Sequence, residues 1–398
     1  VLERGEIANS WKKERWDSLR LLTPNWRTQL PGQAYDGDNP DGFMTIPELV
    51  DFIEDYAKNS QAPVKTQTAV ESVQRTGGRY RVDTNRGSWA CKAVVIATGA
   101  CNRPSVPRVA EQIPAGITQL TAFDYRRPEQ VADGGVLIVG ASATGLQLAD
   151  ELSRAGREVT LAAGEHVRMP RHYRGSDIFY WLDRCGIHDQ RFDEIDDINR
   201  GRRLPSPQLV GSHSRLLDLN TLTAQGTAVT GRLMGARDGV AQFSGSLRNV
   251  CALADLKMQR LLDAIDEFAD AEDAPPAESF EATRVSPNPP LTLDFARAGI
   301  NTVIWATGYR PDYSWLEVPV FDRKGNLEHE GGIVKAPGLY VLGLPLMRRR
   351  KSSFIFGIED DARDIADHLI GFMNTNSRGQ SNGFYQNDTG GRSYQRSA

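Results

Sequence analysis

Cysteine is scarce and scattered in this chain. Of 398 residues four are cysteine, Cys91, Cys101, Cys185 and Cys251. No two stand as Cys-x-x-Cys, which excludes the common zinc-site spacing and a redox-active dithiol pair. Long apolar runs are missing too, since none approaches the roughly 20 residues that a membrane helix needs. A net charge of -4 with pI near 6.0 leaves no basic field to draw nucleic acid or an anionic membrane surface. His172, His188 and His213 have no metal-ligand spacing, and each reads as a satisfied or exposed histidine. No serine or cysteine nucleophile stands in a recognisable catalytic constellation. A reducing cytoplasm is the simplest compartment.

What is present is the composition of an ordinary globular protein, with 40% hydrophobic and 25% charged residues. The length suits two or three domains. The most informative stretch is Val136-Leu-Ile-Val-Gly140-Ala-Ser142-Ala143-Thr144-Gly145, an apolar strand delivered into a glycine turn and a helix beginning at about Thr144. Gly140 allows the tight turn, Gly145 lets the helix lie close on the strand, and free N-H groups at the helix N-terminus suit a pyrophosphate. Ser142 replaces the middle glycine of the pattern and is its smallest substitute. Leu146, Ala149 and Leu152 recur at helical spacing, Gly156 stands as a C-cap glycine, and Glu158 to Ala162 reads as the next strand. Together they form the βαβ unit of a dinucleotide site.

Two further strands end in the same tripeptide, Ala93-Val-Val-Ile-Ala-Thr98-Gly99 and Asn301-Thr-Val-Ile-Trp-Ala-Thr307-Gly308-Tyr309. In each, a buried strand stops at a small hydroxyl residue and a glycine, leaving room for something flat against the backbone. Thr66 to Arg86 reads as a hairpin turning at Gly77-Gly78, and residues 103 to 135 as a crossover into a second domain. Residues 202 to 290 contain an acidic helix from Leu256 to Ala271. Gly338 to Gly343 is a short strand into glycine, followed by Arg348 to Lys351, which reads as a solvated basic loop. A helix capped by Ser352 or Ser353 comes next, carrying Ile358, Ala362, Ile365 and Leu369 on one face. After Asn374 the composition predicts disorder.

The segments Ser10-Trp11, Arg15-Trp16-Asp-Ser-Leu19-Arg20-Leu-Leu-Thr23-Pro24, Asp124-Tyr125-Arg126-Arg-Pro128, the Gly140 turn and Ala306-Thr-Gly-Tyr-Arg310-Pro resemble the flavin-containing monooxygenase-like NADPH-dependent flavoproteins. The bacterial branch labelled as flavoproteins of cation transport is the nearest in pattern. The resemblance runs from Val1 to about Met373. It implies an α/β fold of two Rossmann-like dinucleotide-binding domains, an FAD domain (1-133 and 319-373) interrupted by an NADPH domain (134-318), then a tail (374-398). The implied cofactors are FAD and NADP. NADPH would reduce the flavin, and a flavin hydroperoxide would oxygenate a small molecule. The expected partners are that substrate and, as an open option, a second copy of the chain; neither nucleic acid nor an integral membrane segment is expected.

On this resemblance Glu3 would accept the adenosine ribose hydroxyls of FAD. Trp11, Arg15, Trp16, Leu19 and Thr23 would lie over the flavin and its ribityl chain, with aromatic core packing as the alternative for Trp11 and Trp16. Met44 and Thr45 would start a cofactor-facing helix, Val70 would read the adenine edge, Thr98 and Gly99 would pass the pyrophosphate, and Gly343 and Ser353 would approach the flavin. Gly140, Ser142, Ala143, Thr144 and Gly145 would hold NADPH, with Thr307, Gly308 and Tyr309 closing that domain. Ala163 stands where an NAD-preferring strand ends in a carboxylate, so His166, Arg168 and Arg171 are expected on a 2'-phosphate. Arg174 is as readily a solvated loop residue, and Glu165 favours NAD if the register is shifted by two.

Three departures qualify the resemblance. The chain opens after the first strand and glycine turn of such an FAD domain, a piece of about 30 residues, which predicts weak FAD binding by the chain as written. Thr121 stands where the family usually carries histidine. Gly343 is followed by Leu344 and Pro345 where many flavoproteins place an aspartate. A non-catalytic nucleotide-binding protein regulating a transport partner is therefore the rival expectation. A flavin disulfide reductase would need a cysteine pair, and the sequence offers none.

Overall fold

The structure is a computed structural model that describes residues 1-212, 216-272 and 274-381. Near the N-terminus Leu2 pairs in parallel with Lys65. Helix α1 (Ile46–Asn59) starts at a reciprocal cap: Thr45 accepts the Glu48 N-H while the Glu48 carboxylate accepts the Thr45 N-H. Its buried Leu49 packs with Leu21 and Met44. An antiparallel sheet follows, β1 (Val70–Thr76), β2 (Arg79–Thr84) and β3 (Gly87–Cys91). Its first turn uses Gly77 and Gly78 at φ 58° and 78°, the left-handed pair that a two-residue hairpin with native twist requires. β4 (Val94–Ile96) then leads to Thr98-Gly99.

The second unit contains β5 (Thr118–Thr121), β6 (Gly135–Val139), α2 (Ala143–Arg154), β7 (Val159–Ala163), α3 (Ile178–Arg184), β8 (Ala228–Gly231), β9 (Leu233–Arg237), β10 (Val240–Phe243), α4 (Leu247–Ala269), β11 (Thr292–Asp294) and β12 (Ile300–Trp305). Five strands form a parallel sheet in the order β8-β7-β6-β12-β5. All of β6 is buried. Leu146, Leu148, Ala149 and Leu152 of α2 cover one face, and Leu233, Ala241, Phe243 and Phe295 cover the other. Burial on both faces explains why β6 reads as an unbroken apolar run. Because β7 and β12 flank β6, the strand order reverses at its carboxyl end, where open α/β sheets place ligands.

The return segment adds β13 (His329–Glu330), β14 (Ile333–Val334), β15 (Leu339–Val341) and α5 (Ile358–Ser381). The sheet order β13-β14-β15-β4, with β15 parallel to β4, joins residues 339-341 to residues 94-96. One domain is thus interrupted by the other. The passages between them run side by side, Arg103–Pro104 antiparallel to Tyr309–Arg310.

Four expectations change. The boundary at 133/134 falls too late, because β5 already belongs to the inserted sheet; this half-exposed edge strand gives little periodic signal among prolines and arginines. Helix α4 begins at Leu247 rather than Leu256, with Leu247, Cys251, Ala254, Met258, Leu262, Ile265 and Ala269 buried at helical spacing. Ser352 and Ser353 do not cap the last helix: two short 3-10 turns, Arg350–Ser353 and Ile355–Gly357, precede it, and Ser352 Oγ accepts the N-H groups of Arg348 and Arg349 instead. Helix α5 continues through Ser381, past the expected onset of disorder at 374, since extending a formed helix adds one hydrogen bond per residue. Residues 382-398 lie outside the described residues.

Candidate functional site

The Gly140 turn closes as its residues require. Gly140 sits at φ 114°, and a Cβ there would lie 2.3 Å from the Ala306 carbonyl oxygen. A Cβ on Gly145 would lie 1.8 Å from the Gly140 carbonyl oxygen. Both positions are therefore closed to side chains, and α2 sits directly on the strand end. Ser142 is the N-cap residue, extended, with no capping bond from its side chain. The first backbone bond of the helix runs from Leu146 N-H to Ser142 O at 3.1 Å. The N-H groups of Ala143, Thr144 and Gly145 are left as the orphan donors of a helix N-terminus, which suit a phosphate.

Beside this turn the structure brings together residues from distant parts of the sequence. The Arg15 guanidinium lies 5.1 Å from the Trp11 ring and 5.5 Å from the Phe123 ring. Phe123 stacks on Tyr309 with centroids 5.1 Å apart. Burial pushes the Tyr309 hydroxyl up, opposed by the Arg15 charge and by Thr144. The Cys101 thiol is also pushed up by its surroundings and opposed by Arg15. Gly99 and Gly308 have φ 69° and 89°, while Thr307 Oγ1 donates to Ser105 O at 2.6 Å. Trp11, Arg15, Phe123 and Tyr309 thus form one chain of contacts, with Thr144 of the glycine turn beside Tyr309 and Cys101 near Arg15. Sequence reasoning missed Phe123 and Cys101. Phe123 directly precedes the Asp124-Tyr125 motif, and Cys101 is two residues past Gly99; those neighbours were the available signals.

Other expected site residues are placed differently. Trp16 is 4% exposed and packs with Tyr125, Leu146 and Ile304, with Leu19 beside it, so Trp16 is core rather than flavin-facing. Met44 is core, and Thr45 is committed to capping α1 through Glu48. The Glu3 carboxylate accepts the Gly5 N-H at 2.8 Å. Val70 packs on the core of the first domain. Thr98 is exposed, its carbonyl accepting from Asn102, and Thr23 is half-buried. Gly343 turns at φ 82°, and Ser353 is exposed. His213 lies outside the described residues.

The basic cluster is the main correction. Arg168 is 5% exposed and bound to Asp218 and Asp255, each at 2.8 Å. Arg171 is 3% exposed, pairs with Asp177 at 2.6 Å, donates to Leu22 O and lies 4.4 Å from the Phe43 ring. Arg174, the residue read as solvated, is buried between Asp266 and Asp270. His166 is buried with Nδ1 on Gly164 O, its pKa lowered by burial. None of the three arginines is free for a phosphate, because each is paired with a carboxylate inside the protein. The strand register holds: Ala163 ends β7 opposite Gly231 of β8, and Glu165 lies beyond the strand, paired with Lys257 at 3.0 Å. Arg232 stands at this place instead. It follows β8, is exposed, and its Cγ would lie 3.8 Å from a Cβ on Gly164.

A family profile described as pyridine nucleotide-disulphide oxidoreductase matches residues 1-195. An uncharacterized CzcO-like oxidoreductase of Geobacillus kaustophilus is 31% identical over 372 residues, covering 93% of this chain and 90% of the relative. Indole-3-pyruvate monooxygenase YUCCA1 of Oryza sativa is 24% identical over 397 residues, covering 93% and 84%. Among solved structures, a flavin-containing monooxygenase from Stenotrophomonas maltophilia superposes with a TM-score of 0.63 at 18% identity, covering 92% of this chain and 88% of that one.

Proposed function

The chain belongs to the CzcO-like oxidoreductases, and from that premise we propose that it is an FAD- and NADPH-dependent oxidoreductase of the monooxygenase type, acting on a small molecule. The observation that carries this reading is the convergence of the Gly140 turn with the ends of the two Ala-Thr-Gly strands around Arg15, Phe123 and Tyr309. NADPH would supply hydride, and FAD would supply the redox and dioxygen-activating chemistry.

The residues of the chain bind, orient and exclude water. The orphan N-H groups at the start of α2 and the unoccupied Ser142 hydroxyl suit the NADPH pyrophosphate. Arg232 suits the 2'-phosphate, at a strand end where Ala163 and Gly164 supply no opposing carboxylate. Glu3, Gly99 and Gly343 suit FAD on the other domain, where an added Cβ at Gly99 would meet open space. The Arg15 guanidinium over the Trp11 and Phe123 rings, with Phe123 stacked on Tyr309, suits a wall that limits water at the junction. A thiol-disulfide reductase is disfavoured. It needs a second cysteine beside Cys101, and Cys91, Cys185 and Cys251 sit on other elements as free thiols.

Anaerobic titration of the purified, FAD-supplemented chain with NADPH tests the reading. Bleaching of a bound flavin, followed by reoxidation in air, is the expected result. A colourless protein that binds NADPH and never takes up flavin would instead support the regulatory alternative.

A further inference from the structure

A cleft of about 2050 Å³ opens between the two domains. Its lining includes Ala100 and Tyr309, the residues directly after Gly99 and Gly308, together with Arg202 and His329. Seven arginines line it; Arg203, Arg310 and Arg323 are exposed to solvent, and three others are neutralised. Arg103 pairs with Asp312 at 2.6 Å, Arg191 with Asp193 at 3.0 Å and Arg348 with Asp364 at 2.9 Å. Arg202 differs. It is half-buried, and its side chain makes one long hydrogen bond, Nε to Leu346 O at 3.4 Å. Among the described residues no carboxylate offsets its burial, which lowers its pKa. A desolvated guanidinium without a counter-ion is costly unless something else supplies the negative charge.

His329 supplies a matching donor. Its Nδ1 accepts the Gly332 N-H at 3.2 Å, which puts the ring proton on Nε2. Burial and the Arg202 charge hold the imidazole neutral, with a pKa drawn down to about 4. One half-buried cation without a counter-ion and one neutral N-H donor match a single negative charge. Glu330 on the same wall opposes a second charge, which favours carboxylate over a phosphate dianion. Pro311, Leu344 and Pro345 add apolar surface to the lining.

We propose that Arg202 and His329 form a carboxylate-binding subsite, so that the substrate is an organic acid held in the cleft that Tyr309 also lines. This deepens the oxidoreductase reading and rests on it for the word substrate; the anion site itself does not. The test is direct binding to the full chain, by calorimetry, of phenylacetate, indole-3-acetate, hexanoate and phenylpyruvate, each against its neutral amide. At least one acid should bind about tenfold or more tightly than its amide. Arg202→Gln should abolish that preference, Arg202→Lys should keep part of it, and His329→Gln should weaken it several-fold. Arg323→Gln, an exposed arginine on the same wall, should leave it unchanged. Melting curves identify any variant that fails to fold, in which case the Lys and His329 variants carry the comparison. Equal binding of acid and amide, no binding of any acid, or an unchanged preference in Arg202→Gln would overturn the proposal. Displacement of the acid by inorganic pyrophosphate or ADP would also overturn it, by assigning the site to a cofactor phosphate. Carboxylate binding without flavin uptake or NADPH oxidation would keep the subsite and remove the oxidoreductase reading.

Discussion

Replacing Arg232 and Arg168 separately distinguishes two sources of NADP preference. Arg232 is exposed, with its stem beside Gly164 at the ends of β7 and β8. A guanidinium gripping the 2'-phosphate makes charge-assisted bonds worth about 1.5-3 kcal/mol, so Arg232→Ala should weaken NADP⁺ binding roughly 10- to 150-fold. NAD⁺ lacks that phosphate, and its affinity should stay within about twofold, while stability should move by less than about 0.5 kcal/mol, as for most surface substitutions. Arg168 should do the reverse. It is 5% exposed between Asp218 and Asp255, and Arg168→Met leaves two uncompensated carboxylates, at a cost of about 3-5 kcal/mol. Its melting temperature should fall clearly, with the ratio of NADP⁺ to NAD⁺ affinity unchanged in the folded fraction. Calorimetric titration of both dinucleotides at fixed, moderate ionic strength is the assay, since an exposed phosphate contact is screened by salt. Equal loss of NADP⁺ and NAD⁺ in Arg232→Ala, or no loss of either, refutes the assignment.

Further expectations concern the turn, the cleft and the interdomain core. Gly145→Ala puts a methyl 1.8 Å from the Gly140 carbonyl oxygen; it should destabilise the protein by about 1-3 kcal/mol and weaken both dinucleotides together, read by melting and titration. His329 has a folded pKa of about 4 against an ordinary 6.5, so the unfolded chain takes up a proton first as pH falls. Its contribution is complete above pH 6.5 and is lost on the way down to about 4, with a ceiling of about 3 kcal/mol reduced by partial exposure. Urea unfolding of His329→Gln should therefore show a flatter pH dependence in that window, and an unchanged slope would count against a buried neutral imidazole. Arg171→Met strands the buried Asp177 carboxylate and should cost about 3-5 kcal/mol. The double variant with Asp177→Asn should recover part of that loss, which a double-mutant cycle in denaturant measures.

Features whose physics is local were legible in the sequence. The run from Val136 to Gly145 reads as a strand, a tight turn and a helix because a Cβ on Gly145 would meet the Gly140 carbonyl within the same βαβ unit, whereas the contact that closes Gly140 itself comes from Ala306, far along the chain. The Gly77-Gly78 hairpin was legible from two adjacent glycines, which take the positive φ of its turn, and the interrupted domain implied by the family resemblance is the arrangement in which β15 pairs with β4. The fate of each charge was not local. Arg168 and Arg171 were expected on a phosphate and Arg174 as readily in a solvated loop, yet Arg168 and Arg174 are neutralised by Asp218, Asp255, Asp266 and Asp270 from far along the chain. Arg171 is enclosed by Phe43 and Phe179. Arg202 and Arg232 carry no motif, and among the described residues folding brings no carboxylate into an ion pair with either. Burial and the distance to a counter-charge set the behaviour of an ionised group, and both are properties of the packed chain.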